Sequence, residues 1–114
     1  MSDPVLYDDN PVSGYTAPSA TGTDAVAIGN SAVATGQRSF AVGTSRATGL
    51  DSTALNIANN SSSYGALANY SFAAGYQSYA KSGSSVALGF TARVEVSSNF
   101  SVAIGRGAQV GASS

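Results

Sequence analysis

The chain has 114 residues and a net charge of −1, and Ala, Gly and Ser supply 53 of those residues, so length allows one domain at most. Large apolar residues (Val, Ile, Leu, Met, Phe) number only 23 and charged ones only 11, too few for an ample solitary core and too few for a charge-expanded disordered chain. With no His and no Cys, a disulfide framework, a zinc site, a thiol nucleophile and a Ser–His–Asp triad are all excluded.

From the N-terminus, residues 1–23 read as an extended acidic arm. They contain all three prolines (Pro4, Pro11, Pro18) and three of the six acids, with no basic residue. Proline at seven-residue spacing forbids a long helix and favours extended or turn backbone. Val5, Leu6, Tyr7, Val12 and Tyr15 supply apolar anchors by which such an arm could dock on a neighbour. The opening MSDPVLYDDNP has neither the basic start nor the apolar stretch of a secretory signal.

From residue 24 to 114 the chain is repetitive. A five-residue box recurs six times: Ala25–Gly29 (AVAIG), Ser39–Gly43 (SFAVG), Ser52–Asn56 (STALN), Ser71–Gly75 (SFAAG), Ser85–Gly89 (SVALG) and Ser101–Gly105 (SVAIG). Its last positions lie 14, 13, 19, 14 and 16 residues apart. Small and large residues alternate, the period of a β-strand. Val26 and Ile28, Val86 and Leu88, Val102 and Ile104 share one face; Ala27, Ala41, Ala54, Ala73, Ala87 and Ala103 form an unvarying ladder on the other. A ladder that never enlarges predicts close approach by another backbone, here that of another chain. Gly29, Gly43, Gly75, Gly89 and Gly105 sit where a tight corner needs positive φ, and Asn56 is the best available substitute.

A weaker strand follows most boxes, at Ala32–Ala34, Ala66–Ala68, Ser78–Ala80, Ala92–Val94 and Ala108–Val110. Strand, corner, strand, corner in about 14 residues is too short for a βα unit. It suits one coil of a parallel β-solenoid whose boxes stack at about 4.8 Å, about six coils in all. Residues 57–64 stretch one period and predict a loop bulging from a coil, and Tyr64, Tyr70, Tyr76 and Tyr79 follow closely as a candidate surface contact.

The S-V-A-I-G box with its small-residue second strand resembles the head repeat of trimeric autotransporter adhesins, the YadA-like head, over roughly residues 24–111. The resemblance implies an all-β, left-handed parallel β-roll, three rolls side by side in a homotrimer, and a structural or adhesive activity. The chain shows no heptad stalk segment and no membrane-barrel strands, and such repeats also occur in phage fibres and virion appendages. The expectation is therefore a phage virion protein folded in the host cytoplasm, its arm docking on other virion proteins of a capsid, tail or fibre. The alternative is the head of a bacterial surface adhesin meeting a host receptor or glycan.

No catalytic, cofactor or metal site is expected. Asp8 and Asp9 are adjacent in the arm, Asp51 and Glu95 stand alone, and no Gly-Lys-Ser/Thr phosphate loop occurs. A pI near 4.9 with five scattered basic residues argues against nucleic acid, and no apolar run approaches the ~20 residues of a membrane span. Arg38, Arg46, Arg93 and Arg106 read as charges that keep the solenoid edges soluble, the alternative being a basic stripe for acidic glycans or for the acidic arm of a neighbouring chain.

Overall fold

The computed structural model describes residues 16–59 and 61–111. The arm anchors Val5, Leu6, Tyr7, Val12 and Tyr15 lie outside these residues. Every regular element described is a short strand, in two alternating kinds. The boxes form three-residue strands: β2 (Val26–Ile28), β4 (Phe40–Val42), β6 (Thr53–Leu55), β8 (Phe72–Ala74), β10 (Val86–Leu88) and β12 (Val102–Ile104). Between them lie two-residue strands: β1 (Ser19–Ala20), β3 (Val33–Ala34), β5 (Arg46–Ala47), β7 (Gly65–Ala66), β9 (Tyr79–Ala80), β11 (Arg93–Val94) and β13 (Gln109–Val110).

Each kind pairs only with its own. The even strands make a six-stranded parallel sheet in the order β12-β10-β8-β6-β4-β2, and the odd strands make a seven-stranded one from β1 to β13. The register stacks equivalent residues directly, with Ala41 on Ala54, Ala54 on Ala73, Ala73 on Ala87 and Ala87 on Ala103. This is a parallel β-solenoid of about six coils. No helix among the described residues is long and apolar enough to cross a membrane.

The first coil starts earlier than composition suggests. Ser19 and Ala20 pair with Val33 and Ala34, and the Ser31 amide donates to the Thr16 carbonyl at 2.7 Å. The arm boundary at residue 23 is therefore corrected: strand β1 already belongs to the roll, because extended backbone after Pro18 finds the open edge of β3.

The alanines point inward. Ala41, Ala54, Ala73 and Ala87 have no exposed surface and Ala103 only 3 %, and they meet the inner residues Ala34, Ala47, Ala66, Ala80 and Val94 of the other sheet; Ala27, in the first box, is partly buried. The expectation that the ladder is buried against another chain is thus corrected. The backbone that approaches it is the facing sheet of its own roll, and the core is a thin column built mostly of alanine methyl groups, with Val94 and Ile57 as its largest members.

Two left-handed corners per coil make this possible. Gly29, Gly43, Gly75, Gly89 and Gly105 adopt φ between 79° and 127°, and Asn56 adopts 52°. At Gly75 and Gly89 a Cβ would also lie 2.7 and 2.8 Å from the carbonyl oxygen of the next coil's glycine. The opposite corner uses residues that are not glycine: Asp24, Arg38, Asp51, Tyr70, Ser84 and Phe100, each just before a box, have φ of 52–60°. That conformation costs on the order of 1 kcal/mol in a residue with a side chain. It is offset because five of these amides, from Arg38 to Phe100, donate to a carbonyl of the preceding coil at 2.7–3.1 Å.

The first residue of the box has a role that alternation alone does not reveal. Ser39, Ser52 and Ser71 are buried, and their hydroxyls donate to the carbonyl three residues back (Gly36, Gly49, Ala68) at 2.6–2.7 Å; Ser85 makes the same bond to Ser82. Ser45 and Ser78 repeat the device at the other corner. Among the described residues no buried side-chain polar atom lacks a partner. A hydroxyl is the smallest side chain that can close such a turn inside a core this narrow.

Candidate interaction surfaces

With alanine turned inward, the period-2 alternation forces the large residues of each box outward. Parallel in-register stacking then aligns them in two rows on the outer face of the six-stranded sheet. One row runs Val26, Phe40, Thr53, Phe72, Val86, Val102; the other runs Ile28, Val42, Leu55, Ala74, Leu88, Ile104. Thr53 is the one polar member. Val26 and Phe40 are 36 % and 38 % exposed, and Val102 and Ile104, on the edge strand β12, are 57 % and 64 % exposed. The remaining members are half-buried. At about 4.8 Å per strand the rows run for roughly 24 Å. A contiguous apolar strip of this kind on a thin roll marks an interaction surface. Of its members, Val26, Ile28, Val86, Leu88, Val102 and Ile104 are legible in the sequence as a same-face set; Phe40, Val42, Leu55 and Phe72 occupy the same box positions and belong with them.

The outer face of the seven-stranded sheet is different in kind. Its strands present Ser19, Val33, Arg46, Tyr79, Arg93 and Gln109, with Gly65 contributing no side chain. Arg93 donates from Nε and Nη2 to the Gln109 side-chain oxygen at 3.0 and 2.8 Å. The Tyr79 hydroxyl donates to Glu95 Oε1 at 2.5 Å. Partial burial, with that bond and the Glu95 charge beside it, pushes the Tyr79 phenol up to about 12. The Lys81 ammonium lies 4.2 Å from the centre of the Tyr79 ring, a cation–π contact.

The four tyrosines that cluster in sequence separate in space. Tyr64 and Tyr79 meet on the polar face, ring centres 6.0 Å apart at 60°. Tyr76 stands at the corner after its box, stacked on Phe90 at 5.1 Å, with the Arg106 guanidinium 5.6 Å above Phe90. Tyr70 occupies the opposite corner, 57 % exposed at φ 60°. The inserted segment is also more anchored than a plain bulge: Ile57 is fully buried, its amide donating to Ser45 Oγ at 3.0 Å, and Tyr64 packs against the core. Ile57 heads the largest fully buried side chains among the described residues and ties the start of the inserted segment to the core.

Arg38 is tied across coils to Asp51 by two bonds of 2.7 and 2.8 Å. That bonding holds the Asp51 carboxyl below, and the Arg38 guanidinium above, its ordinary range. Among the described residues no group of three acidic, His or Cys side chains is arranged to hold a metal ion.

The family model described as the YadA head domain repeat matches the chain twice, over residues 20–45 and 66–92. Over these two stretches the chain is similar to the YadA head domain repeat. The two matches cover β2–β4 and β8–β10 with their flanking coils. The stretch between them holds the 13-residue coil and the insertion, where the regular period is lost. YadA head domains are adhesin-type, non-enzymatic, surface-exposed modules that form trimers. No curated protein and no solved structure matches the chain.

Proposed function

We propose that this protein is a structural and adhesive module that works as a homotrimer of left-handed parallel β-rolls, joined along the outer face of the six-stranded sheet. The observation that carries this reading is the double row of large apolar side chains from Val26 and Ile28 to Val102 and Ile104, left uncovered by the chain itself. The occupant is a second and third copy of the same chain. The repeat family is trimeric, and two parallel apolar rows on one sheet face allow one row of each copy to meet the other row of the next, a heterologous contact that closes about a three-fold axis.

The setting we favour is a phage capsid, tail or fibre, with the roll projecting and the arm ahead of strand β1 serving as the docking segment through Val5, Leu6, Tyr7, Val12 and Tyr15. An acidic, proline-bearing arm with five apolar anchors supports it, since such a segment can add to a partner's sheet edge or groove without a fold of its own. The second reading, a head of a bacterial surface adhesin, is supported by the YadA repeat match. The test compares the full chain with a version lacking residues 1–15, which spares strand β1. Under the virion reading the full chain co-sediments with phage particles, and the shortened one keeps its oligomeric mass but is lost from them. Equal incorporation of both removes the arm from the docking role. Antibody labelling of intact bacterial cells, with no particle-associated protein, favours the adhesin.

A further inference from the structure

The outer face of the seven-stranded sheet holds an open cleft of about 280 Å³, lined by Ser63, Tyr64, Gln77, Tyr79, Lys81, Thr91 and Arg93. We infer that this cleft binds an acidic saccharide, a sugar ring carrying a carboxylate or a sulfate. The cleft depends on what is irregular in the repeat. The insertion supplies Ser63 and Tyr64 as one wall. Beside it Gly65 takes the place that Tyr79 and Arg46 fill in neighbouring strands and adds no side chain to the surface. The place cannot be filled either, because a Cβ there would lie 2.1 Å from the Arg46 carbonyl oxygen.

The lining matches one class of ligand. The volume lies just under the ~300–1,000 Å³ of small-molecule sites, room for a single ring and not for a folded segment. Tyr64 and Tyr79, in tilted ring contact, line the cleft with aromatic surface, against which the C–H face of a sugar can pack. Ser63, Gln77 and Thr91 offer hydroxyl and amide groups that can exchange hydrogen bonds with sugar hydroxyls.

Two cations, Lys81 and Arg93, face the same space. Arg93 is held by Gln109 through Nε and Nη2, which leaves the donors on its other terminal nitrogen for a carboxylate or sulfate. Lys81 rests on the Tyr79 ring. The nearby carboxylate, Glu95, is only 9 % exposed and accepts the Tyr79 hydroxyl, so the charge presented to a ligand is positive. The cleft lies on the sheet opposite the apolar rows and stays open when those rows are covered.

This inference deepens the adhesive part of the reading above and does not depend on the trimer. The full-chain protein is tested by saturation-transfer NMR and titration with glucuronic acid, galacturonic acid, N-acetylneuraminic acid and glucose 6-sulfate, against glucose, galactose and inorganic sulfate. At least one acidic sugar should bind at least about tenfold more tightly than its neutral counterpart and than sulfate alone, and binding should weaken as salt rises. Lys81→Gln and Arg93→Gln should each weaken it about tenfold. Lys81→Arg should retain it, and Arg106→Gln, at a different corner, should leave it unchanged.

All four variants change solvent-facing side chains, and circular dichroism checks their fold. Saturation by no acidic sugar, equal affinity for neutral sugars, equal affinity for free sulfate, or indifference to both Gln variants would overturn the inference. A failed sugar titration by a protein that still sediments as a trimer refutes the cleft alone; sugar binding by a monomer refutes the assembly alone.

Discussion

The two sheets of the roll share one interior and differ almost completely on their outer surfaces. Both turn alanine inward, and both close their corners with buried serine hydroxyls and left-handed residues. The six-stranded sheet then shows water an apolar double row. The seven-stranded sheet shows Arg46, Arg93, Tyr79 and Gln109 and the Tyr64–Tyr79 cleft. The contrast separates what makes the fold from what uses it. A core built mostly of alanine methyl groups specifies a thin coil, and because that interior takes few large side chains beyond Ile57 and Val94, most of the chain's large residues are available for contact. The scarcity of Val, Ile, Leu and Phe is therefore not spread evenly: ten of them lie on one outer face.

The most severe way to break this comparison is to enlarge the shared interior. Ala87→Leu adds three carbons at a site with no exposed surface between two sheets. Overpacking of this kind typically costs about 1–3 kcal/mol or more, against a total stability of about 5–15 kcal/mol for a domain of ordinary size. Thermal unfolding followed by circular dichroism should show a clear loss of stability even under conditions where the protein is a single chain. An unchanged transition would mean that Ala87 does not face the core.

Changing only the apolar face should separate assembly from folding. Val86→Glu with Leu88→Glu leaves the interior untouched but places two charges in the proposed contact. The strand signal should survive, while the dissociation constant of the oligomer rises by more than about a hundredfold, because an unpaired charge cannot be buried cheaply. Sedimentation across a concentration series measures it. Loss of the strand signal together with the oligomer would show instead that the roll cannot stand without its copies.

Smaller effects probe the polar face. The folded-state pKa of Tyr79 is raised to about 12 from the ordinary value near 10. The protonated phenol is therefore favoured by folding. Its contribution is fully present below about pH 10 and is lost as pH rises toward 12. Tyr79→Phe should flatten the fall in melting temperature across that window. Asp51 works in the opposite sense and more weakly. Its carboxyl is held below the ordinary range by Arg38, so its contribution is present above the ordinary Asp range and fades as pH falls below it. The pair is solvent-exposed, and Arg38→Ala should change the acid limb only slightly.

Much of this architecture is legible in the sequence, and what is not has definite causes. The six boxes announce their strands because alternation, repetition and a closing glycine agree. Five of the seven short strands show as small residues two apart; Ser45-Arg46-Ala47 has the same form and belongs with them, whereas Ser19–Ala20 escapes because it follows Pro18 in an acidic stretch. Alternation fixes that alanine and valine face opposite ways but not which face is inside, since that depends on how far apart the two sheets lie. The corner before each box is hidden for a related reason. Arg38, Tyr70 and Phe100 carry no signal for positive φ, and they adopt it because stacking supplies a carbonyl in the preceding coil. The Tyr64–Tyr79 contact needs the register across the insertion, which Ile57 secures by entering the core.

The central claim is that the apolar outer face of the six-stranded sheet is covered by copies of this chain. Its most direct test is the solution mass of the intact protein, by sedimentation equilibrium or native mass spectrometry at micromolar concentration. The account predicts a single species of three times the 11.3 kDa chain mass, reduced to one chain by the Val86→Glu, Leu88→Glu pair. A stable single chain with the strand content of the roll and both rows exposed would contradict it.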